Sequence, residues 1–438
     1  MHSIQASRGA GLLSVVLSAA VSACDFDVTN PGLFQDTYLD NQAAHTAMVN
    51  GAGRAYAEGL TWVNFLGGVI AREMFPSGST AQLGITLRGQ AGELPREEIT
   101  EEWGQAHRGR WVAETFLKRF EETVEGGIAN YAPAAQLALW AGYANRLLGE
   151  NMCVAVIDGG AAQSYKVHLE RAEQYFGTAL SIAQATNQTT IARAAQAGRA
   201  SVRAYLGKWA DAVSDANAIP AGFVYTVLFD RTTGPINRIA DSQSNNPHRS
   251  LTVWNTVFDD YYTQTGDPRT GWKRHTDSRY QVGSGARDPY GLVPFKIQTK
   301  YCETGTCRGN TPIEASSTQE MRLILAEDQL VKNNFPAAMT IINALRASVT
   351  SATTKKALEP WPATNIEQAW QTMKRERGIE LWLEGRRLGD LRRWDELKTP
   401  GALHNLELIE DGKGGRKYAR DFCFPPSSVE VQSNVNLH

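Results

Sequence analysis

Blocks of like charge, long apolar runs and catalytic motifs are all scarce in this chain. Lys and Arg total 44 against 46 Asp and Glu, and the two signs are interspersed. That balance excludes the electrostatic footprint of a nucleic-acid binder and the polybasic patch that holds anionic lipid. The most apolar stretch, GAGLLSVVLSAAVSA at residues 9–23, is too short to cross a bilayer as a helix. No H-E-x-x-H, G-x-S-x-G or Walker loop occurs, and GKGGRK around Lys413 lacks the strand, spacing and hydroxyl of a phosphate cradle, so it reads as a turn. The 8 histidines stand singly, and His107 and His168, on helical segments, read as surface or capping residues. With 5 cysteines, no paired C-x-x-C and no histidine beside them, a zinc site is excluded. No cofactor or metal is called for; the loop at 241–246 has oxygen donors suited to calcium, but such loops are more often simply solvated.

What the chain does have is a 42% apolar content over 438 residues, enough for a sizeable core. Its first 23 residues place Arg8 before the apolar run, as a signal peptide does. The run closes on Val21-Ser22-Ala23-Cys24, which resembles the bacterial lipobox, so Cys24 is the expected lipidation site and first mature residue. Asp25 leaves the address open between inner-membrane retention and export to the surface. In an exported protein, Cys302 and Cys307 in YCETGTC are expected to close a small disulfide loop, while Cys153 reads as a small core residue.

Helical periodicity dominates from about residue 35 to 220. Ala172, Phe176 and Ala179 sit at the offsets of the second helix of a tetratricopeptide-type hairpin, where small residues let helices approach and an aromatic fills the groove. The pattern returns with Gly207, Trp209, Ala212 and Pro220, and again with Asn333-Asn334, Phe335, Ala338, Ile342 and Leu345. From Ala172 to Ala212 is 40 residues, but from Ala212 to Ala338 is 126, so something is inserted between stacked hairpins. The expected organisation is a signal peptide at 1–23, a helical scaffold at 24–220, a loop-rich, aromatic-rich insert at 221–314, helical hairpins at 315–398 and an irregular segment at 399–438 that packs on the scaffold.

Residues 375–397, RERGIELWLEGRRLGDLRRWDEL, hold 12 charged residues and 3 glycines within a helical pattern. The apolar stripe Ile366, Trp370, Met373, Leu381, Leu388, Leu391 and Trp394 predicts one helix running on from near Asn365. Gly378, Gly385 and Gly389 would each cost about 1 kcal/mol in a helix interior, so another backbone must come close. Glu380 and Glu384, four apart, are expected to pair with Arg377 and Arg387 in the helix or with a neighbour.

This segment resembles the C-terminal signature of the SusD/RagB family of outer-membrane lipoproteins, on Glu376, Arg377, Glu380, Leu381, Glu384, Gly385, Arg387, Asp390, Leu391, Arg393 and Trp394. The opening CDFDVTNPG and the closing FPPSSVEVQSNVNL are similar to the family's ends, although Ser433-Asn434-Val435-Asn436 departs from its usual N-P-N and the chain is somewhat short. The resemblance implies a mainly α fold, a tetratricopeptide-type hairpin scaffold carrying an inserted loop-rich ligand-binding subdomain, with the charged helix locking the last hairpin to the C-terminal segment. A catalytic acid and base pair at Glu380 and Glu384 is disfavoured because the interleaved arginines would hold both ionised.

The resemblance further implies a non-enzymatic lipoprotein of the outer membrane, at the cell surface, that captures an oligomeric nutrient, most readily a glycan, and delivers it to a SusC-like TonB-dependent transporter. Such a site needs flat aromatics to stack on sugar C–H faces and polar groups at the rim. Trp254, Tyr261, Tyr262, Trp272 and Tyr280 are the stacking candidates; Asn64, Asp260 and Arg274 are the polar ones, Asn64 from an early loop placed at residues 62–88. A tetratricopeptide-type scaffold binding a protein or peptide partner is the alternative, and an exported glycosidase a third reading.

Overall fold

The computed structural model describes residues 36–77, 84–244, 250–274, 293–302, 309–408 and 420–438. The lipobox with Cys24, Tyr280, Cys307 and the GKGGRK segment lie outside them. The chain is mainly helical. Helices α1 (Gln42–Ile70), α2 (Leu87–Gln90), α3 (Thr100–Thr123), α4 (Ala132–Asn151), α5 (Lys166–Ala185), α6 (Thr189–Tyr205) and α7 (Trp209–Asn217) come first. After α8 (Arg238–Ser244) and α9 (Val257–Thr265) follow α10 (Thr318–Val331), α11 (Phe335–Ala347), α12 (Ile366–Glu380), α13 (Arg387–Glu396) and α14 (Ser428–Ser433). Short strands punctuate them: β1 (Phe75–Pro76), β2 (Val154–Ala155), β3 (Gln163–Ser164), β4 (Val224–Val227), β5 (Leu251–Thr252), β6 (Trp272–Arg274), β7 (Lys296–Gln298) and β8 (Ile313–Ser317).

The helices stack in sequence, α1 on α3, α3 on α4, and onward to α7, which packs on α10 although Asn217 and Thr318 are far apart in the chain. Strand β4 pairs antiparallel with β8, with Val227 opposite Ile313, so the excursion between α7 and α10 leaves and returns through one two-stranded stem. Local chemistry sets the starts. Asn41, Ser317, Asn334 and Asn365 each accept a backbone N–H at the first turn of the helix they precede. The hairpin positions read from sequence are core: Ala172, Phe176, Ala179, Ala212, Ala338 and Ile342 are fully buried. Phe176 is wedged so tightly that a Cβ on Gly142 of α4 or on Gly198 of α6 would lie 2.6 or 2.5 Å from its ring. The two glycines therefore let α4 and α6 close on one aromatic side chain.

Three sequence expectations change. Cys153 is not a lone core residue: it is bonded to Cys423, 270 residues away, with Cα atoms 4.9 Å apart. Beside that bond Phe424 donates to Asn151 O at 2.8 Å and accepts from Cys153 N–H at 2.9 Å, fastening the C-terminal segment to the end of α4. His168 is fully buried with Nδ1 3.0 Å from Asn145 Oδ1, so it is a core residue; His107 is half-buried, its ring packed at 4.3 Å on Trp103 and 5.8 Å from His168, and caps no helix. Burial holds both imidazoles far below their ordinary range, His107 at about 3.

The helix expected to run on from Asn365 also breaks at residues 381–386, where Leu383 takes φ +63° and Gly385 φ +73°. The cause is distant. Glu73 accepts the Leu383 N–H at 2.8 Å through its side chain and the Trp382 indole N–H at 3.1 Å through its carbonyl. The Leu383 carbonyl accepts from Asn64 at 2.5 Å and from the Tyr301 hydroxyl at 3.0 Å. Four contacts, from α1, the segment just after it and the insert, outweigh the local helical preference.

Candidate functional site

Two segments far apart in sequence meet where α1 ends. Helix α1 continues to Ile70, so the early loop starts after it rather than at Trp62. Strand β1 then pairs antiparallel with β5 of the insert, Phe75 opposite Thr252. That pairing sets the Phe75 ring edge-on to Trp254 at 5.2 Å, with the Arg72 guanidinium 5.8 Å from the Phe75 centroid. The ladder goes on: Val253 N–H donates to Lys296 O at 2.9 Å, and β7 pairs with β6, setting Trp272 opposite Gln298.

On β6, Trp272 is half-buried with Tyr262 edge-on at 5.9 Å. The Lys296 ammonium lies 4.1 Å from the Trp272 ring centroid, held by Asp259 at 2.6 and 2.7 Å, so one face of that ring is occupied by a cation. The Trp272 indole N–H meets no acceptor among the described residues. Trp254 and Tyr262 are likewise half-buried, and Asp260 and Arg274 are exposed.

Two candidates serve the scaffold instead. Tyr261 is buried; its hydroxyl donates to Asp267 at 2.9 Å and accepts from Arg346 at 2.7 Å, and burial raises its pKa. Asn64 is fully buried and spends its amide on Leu383. Neither can meet a ligand. Of the 241–246 segment read as a loop, residues 241–244 are the end of α8, with the Asp241 carboxylate paired to Arg231 at 2.7 Å, and 245–246 lie outside the described residues. Cys302 is disulfide-bonded, with Gln298 Nε2 3.4 Å from its sulfur.

Sequence reasoning passed over two hollows elsewhere on the scaffold. One, of about 450 Å³, lies between α1, the start of α3 and α8, with Glu58, Trp62, Phe65, Ile99, Glu102 and Arg238 among its walls. The other, of about 760 Å³, is lined by Asn50, Arg54, Trp140, Tyr225, Leu228 and Phe229. Trp62 and Trp140 fall on helical stripes, so periodicity alone assigns both to the core.

The charged segment forms a buried network that reaches further than the sequence implies. Arg393 meets Glu327 at 2.7 Å, and Glu327 also accepts the Trp394 indole N–H at 3.0 Å. Arg377 meets Asp390 at 2.7 Å, and Arg387 holds Glu407 in the C-terminal segment. Glu380 and Glu384 take their partners from the insert, Arg269 and Lys300, each at 2.6 Å, and not from Arg377 and Arg387. Glu376 is gripped by Arg269 at 2.8 Å and by Arg346 at 3.2 Å. The close backbone inferred for the glycines is met at Gly389, where a Cβ would lie 2.6 Å from Glu150 O; at Gly378 the neighbour is a side chain, the Arg387 guanidinium at 2.9 Å, and Gly385 is needed for its φ of +73° in the break.

The interleaved arginines therefore do not set the charge of Glu380 and Glu384. Burial pushes Glu384 up to about 8 against the pull of Lys300, and raises Glu380 against that of Arg269. Each carboxylate is committed to a salt bridge, an arrangement that ties the insert to the scaffold.

Residues 318–421, from the start of α10 through the charged segment, match the SusD family. A comparison with curated protein sequences returns no match. Among solved structures, the chain is similar to a SusD-like carbohydrate binding protein from Bacteroides fragilis, with TM-score 0.67 and 13% identity over 92% of this chain and 100% of that one. It is also similar to a SusD superfamily protein from Bacteroides vulgatus, with TM-score 0.63 and 13% identity over 91% and 98%. Surface glycan-binding protein A from Bacteroides uniformis aligns with TM-score 0.60 and 11% identity over 90% and 99%. At these identities the likeness establishes the fold, a mainly α scaffold of tetratricopeptide type.

Proposed function

The chain belongs to the SusD/RagB family, and on that premise we propose that it is a non-enzymatic, lipid-anchored protein of the outer-membrane surface. In this reading it captures an oligomeric nutrient, with a glycan the favoured class, and hands it to a TonB-dependent transporter. The observation that carries the reading is the contact of Phe75 with Trp254, which unites the segment after α1 with the insert in one surface. A capture site needs aromatic platforms fixed by a scaffold, with polar groups at the rim. Trp254, Tyr262 and Trp272 are half-buried on or beside short paired strands, and Asp260 and Arg274 are exposed nearby in sequence. The similar structures described as carbohydrate binding and glycan binding favour a sugar over other oligomers.

Among the described residues no helix is long and apolar enough to cross a membrane. In this reading the attachment is a lipid carried on Cys24. A glycan-array screen of the form lacking residues 1–24 tests capture: binding to a defined oligosaccharide supports it, and silence across the array contradicts the glycan class. Copurification from a native membrane extract tests delivery, because a protein recovered alone in mild detergent has no transporter partner. A peptide-binding scaffold is favoured by one observation, the 760 Å³ cleft beside the exposed Leu228. It predicts that Trp140 rather than Trp254 governs binding.

A further inference from the structure

The 450 Å³ hollow between α1 and α3 is bordered by six glutamates, and their local partners divide them. Arg88 takes up Glu93 at 2.8 Å and Glu97 at 2.7 Å. Arg238 takes up Glu58 at 2.8 Å while lying 3.6 Å from the centroid of the Trp62 ring, whose N–H also donates to Glu58 at 3.0 Å. Among the described residues Glu98 and Glu101 receive neutral donors only, the Thr86 hydroxyl at 2.5 Å and the Gln105 amide at 3.1 Å.

Glu102 receives still less. It is 5% exposed, it lines the hollow, and its carboxylate is reached only by its own backbone N–H; among the described residues no other group donates to it. Arg238, already paired with Glu58, pulls on this carboxylate only at longer range, and the first turn of α3 offsets little of the lost hydration. Burial accordingly pushes Glu102 up to about 8. The desolvated acid shares the lining of the hollow with Phe65, Ile99 and Trp62, one face of which Arg238 covers, and with Glu98 and Glu101, which meet no cation among the described residues.

We propose that this hollow takes a cationic sugar unit, an amino sugar with a free ammonium group, which Glu102 receives while the ring's C–H face lies on the apolar lining. The assignment rests on the glycan-capture reading and narrows it to a substrate class. The volume falls within the range of small-ligand sites. The chemistry matches at three points: an ammonium supplies the charge that Glu102 lacks, hydroxyls supply donors for Glu98 and Glu101, and the pyranose face supplies apolar area. A lysine side chain would bring one cation on a thin stem, with no hydroxyls for the neighbouring carboxylates and no ring face for the apolar lining. Binding of the ammonium drives Glu102 to its ionised form, so a proton leaves to solvent as the sugar enters.

The test is titration calorimetry on the full chain in two buffers of different ionisation heat. The probes are glucosamine oligosaccharides, their N-acetylated counterparts, a neutral glucan oligosaccharide and a lysine-rich peptide. The free-amine sugar is expected to bind at least about tenfold more tightly than the acetylated one, with release of a proton. Glu102→Gln is expected to abolish both the preference and the proton release. If that variant does not fold, Glu98→Gln, at an exposed position, is expected to weaken the preference. Equal binding of the two sugars, a preference that persists in Glu102→Gln, or Glu102-dependent binding of the peptide in place of the sugar overturns the assignment. Neutral glucan captured in a Trp254-dependent way with no amine preference overturns this assignment alone and leaves the capture reading standing.

Discussion

The guanidinium of Arg386 grips the carboxylate of Glu150 through two hydrogen bonds of 2.8 and 2.9 Å, although 236 positions separate them in the chain. Both are buried, and Arg386 also reaches Glu320 at 2.9 Å and Ser201 at 2.7 Å. Removing the cation leaves Glu150 with Arg146 at 4.0 Å and Glu320 with Arg377 at 3.7 Å, longer pairings that do not replace it. Arg386→Ala is therefore expected to lose about 3–5 kcal/mol of stability, read from urea unfolding. A loss under about 1 kcal/mol would mean that the network adds geometry without stability.

The wedge of Phe176 between Gly142 and Gly198 makes a second prediction. Gly198→Ala puts a methyl 2.5 Å from the ring. The expected cost is about 1–3 kcal/mol, from overpacking. Adding Phe176→Leu should recover part of it, so the two changes must be non-additive. Additive losses would show that α6 simply moves away.

Replacing Cys153 and Cys423 together by Ser opens the covalent tie across 270 residues. A loss of about 2–5 kcal/mol is expected from the freed unfolded chain. Because the Phe424 N–H still donates to Asn151 O and its carbonyl still accepts the backbone N–H of residue 153, the folded variant should keep the C-terminal segment docked, which limited proteolysis reads directly.

The buried histidines predict acid sensitivity. His168 has its folded pKa held well below 6.5 by burial, so the unfolded chain binds the extra proton first. Its contribution is complete above the unfolded pKa and is lost as pH falls below about 6.5, at about 1.4 kcal/mol per pH unit. His107, displaced in the same direction, adds to the slope down to its own value of about 3. Melting temperature against pH should fall on the acid side of 6.5, and His168→Leu should flatten that limb.

How much of this was legible in the sequence depends on how local the cause is. Phe176, Ala212 and Ala338 announced the hairpins because helical spacing and packing coincide there, and Asn365 announced the start of α12 because a cap acts within one turn. The interval between Ala212 and Ala338 marked the excursion that β4 and β8 bracket. Long-range causes left no trace. The break at Leu383 is imposed by Glu73 and Tyr301, and Asn64 looked like a rim residue only because its partner, the Leu383 carbonyl, lies 319 positions away. Glu380 and Glu384 had arginines at helical spacing yet found Arg269 and Lys300 in the insert. At the candidate site, aromatic composition pointed to Trp254, Tyr262 and Trp272, but not to Phe75, whose relevance comes from a two-residue strand pairing. Tyr261 is as aromatic as its neighbour and fills the core, because alternate faces of α9 meet different surroundings.

The most direct measurement is the affinity of the best oligosaccharide found on the array, titrated against the parent protein and the Trp254→Ala and Trp272→Ala variants, with melting temperature recorded alongside. Loss of an aromatic platform is expected to weaken binding about fivefold or more in each variant while the fold stays intact. Undiminished affinity in both variants would contradict capture on the face that Phe75 and Trp254 create.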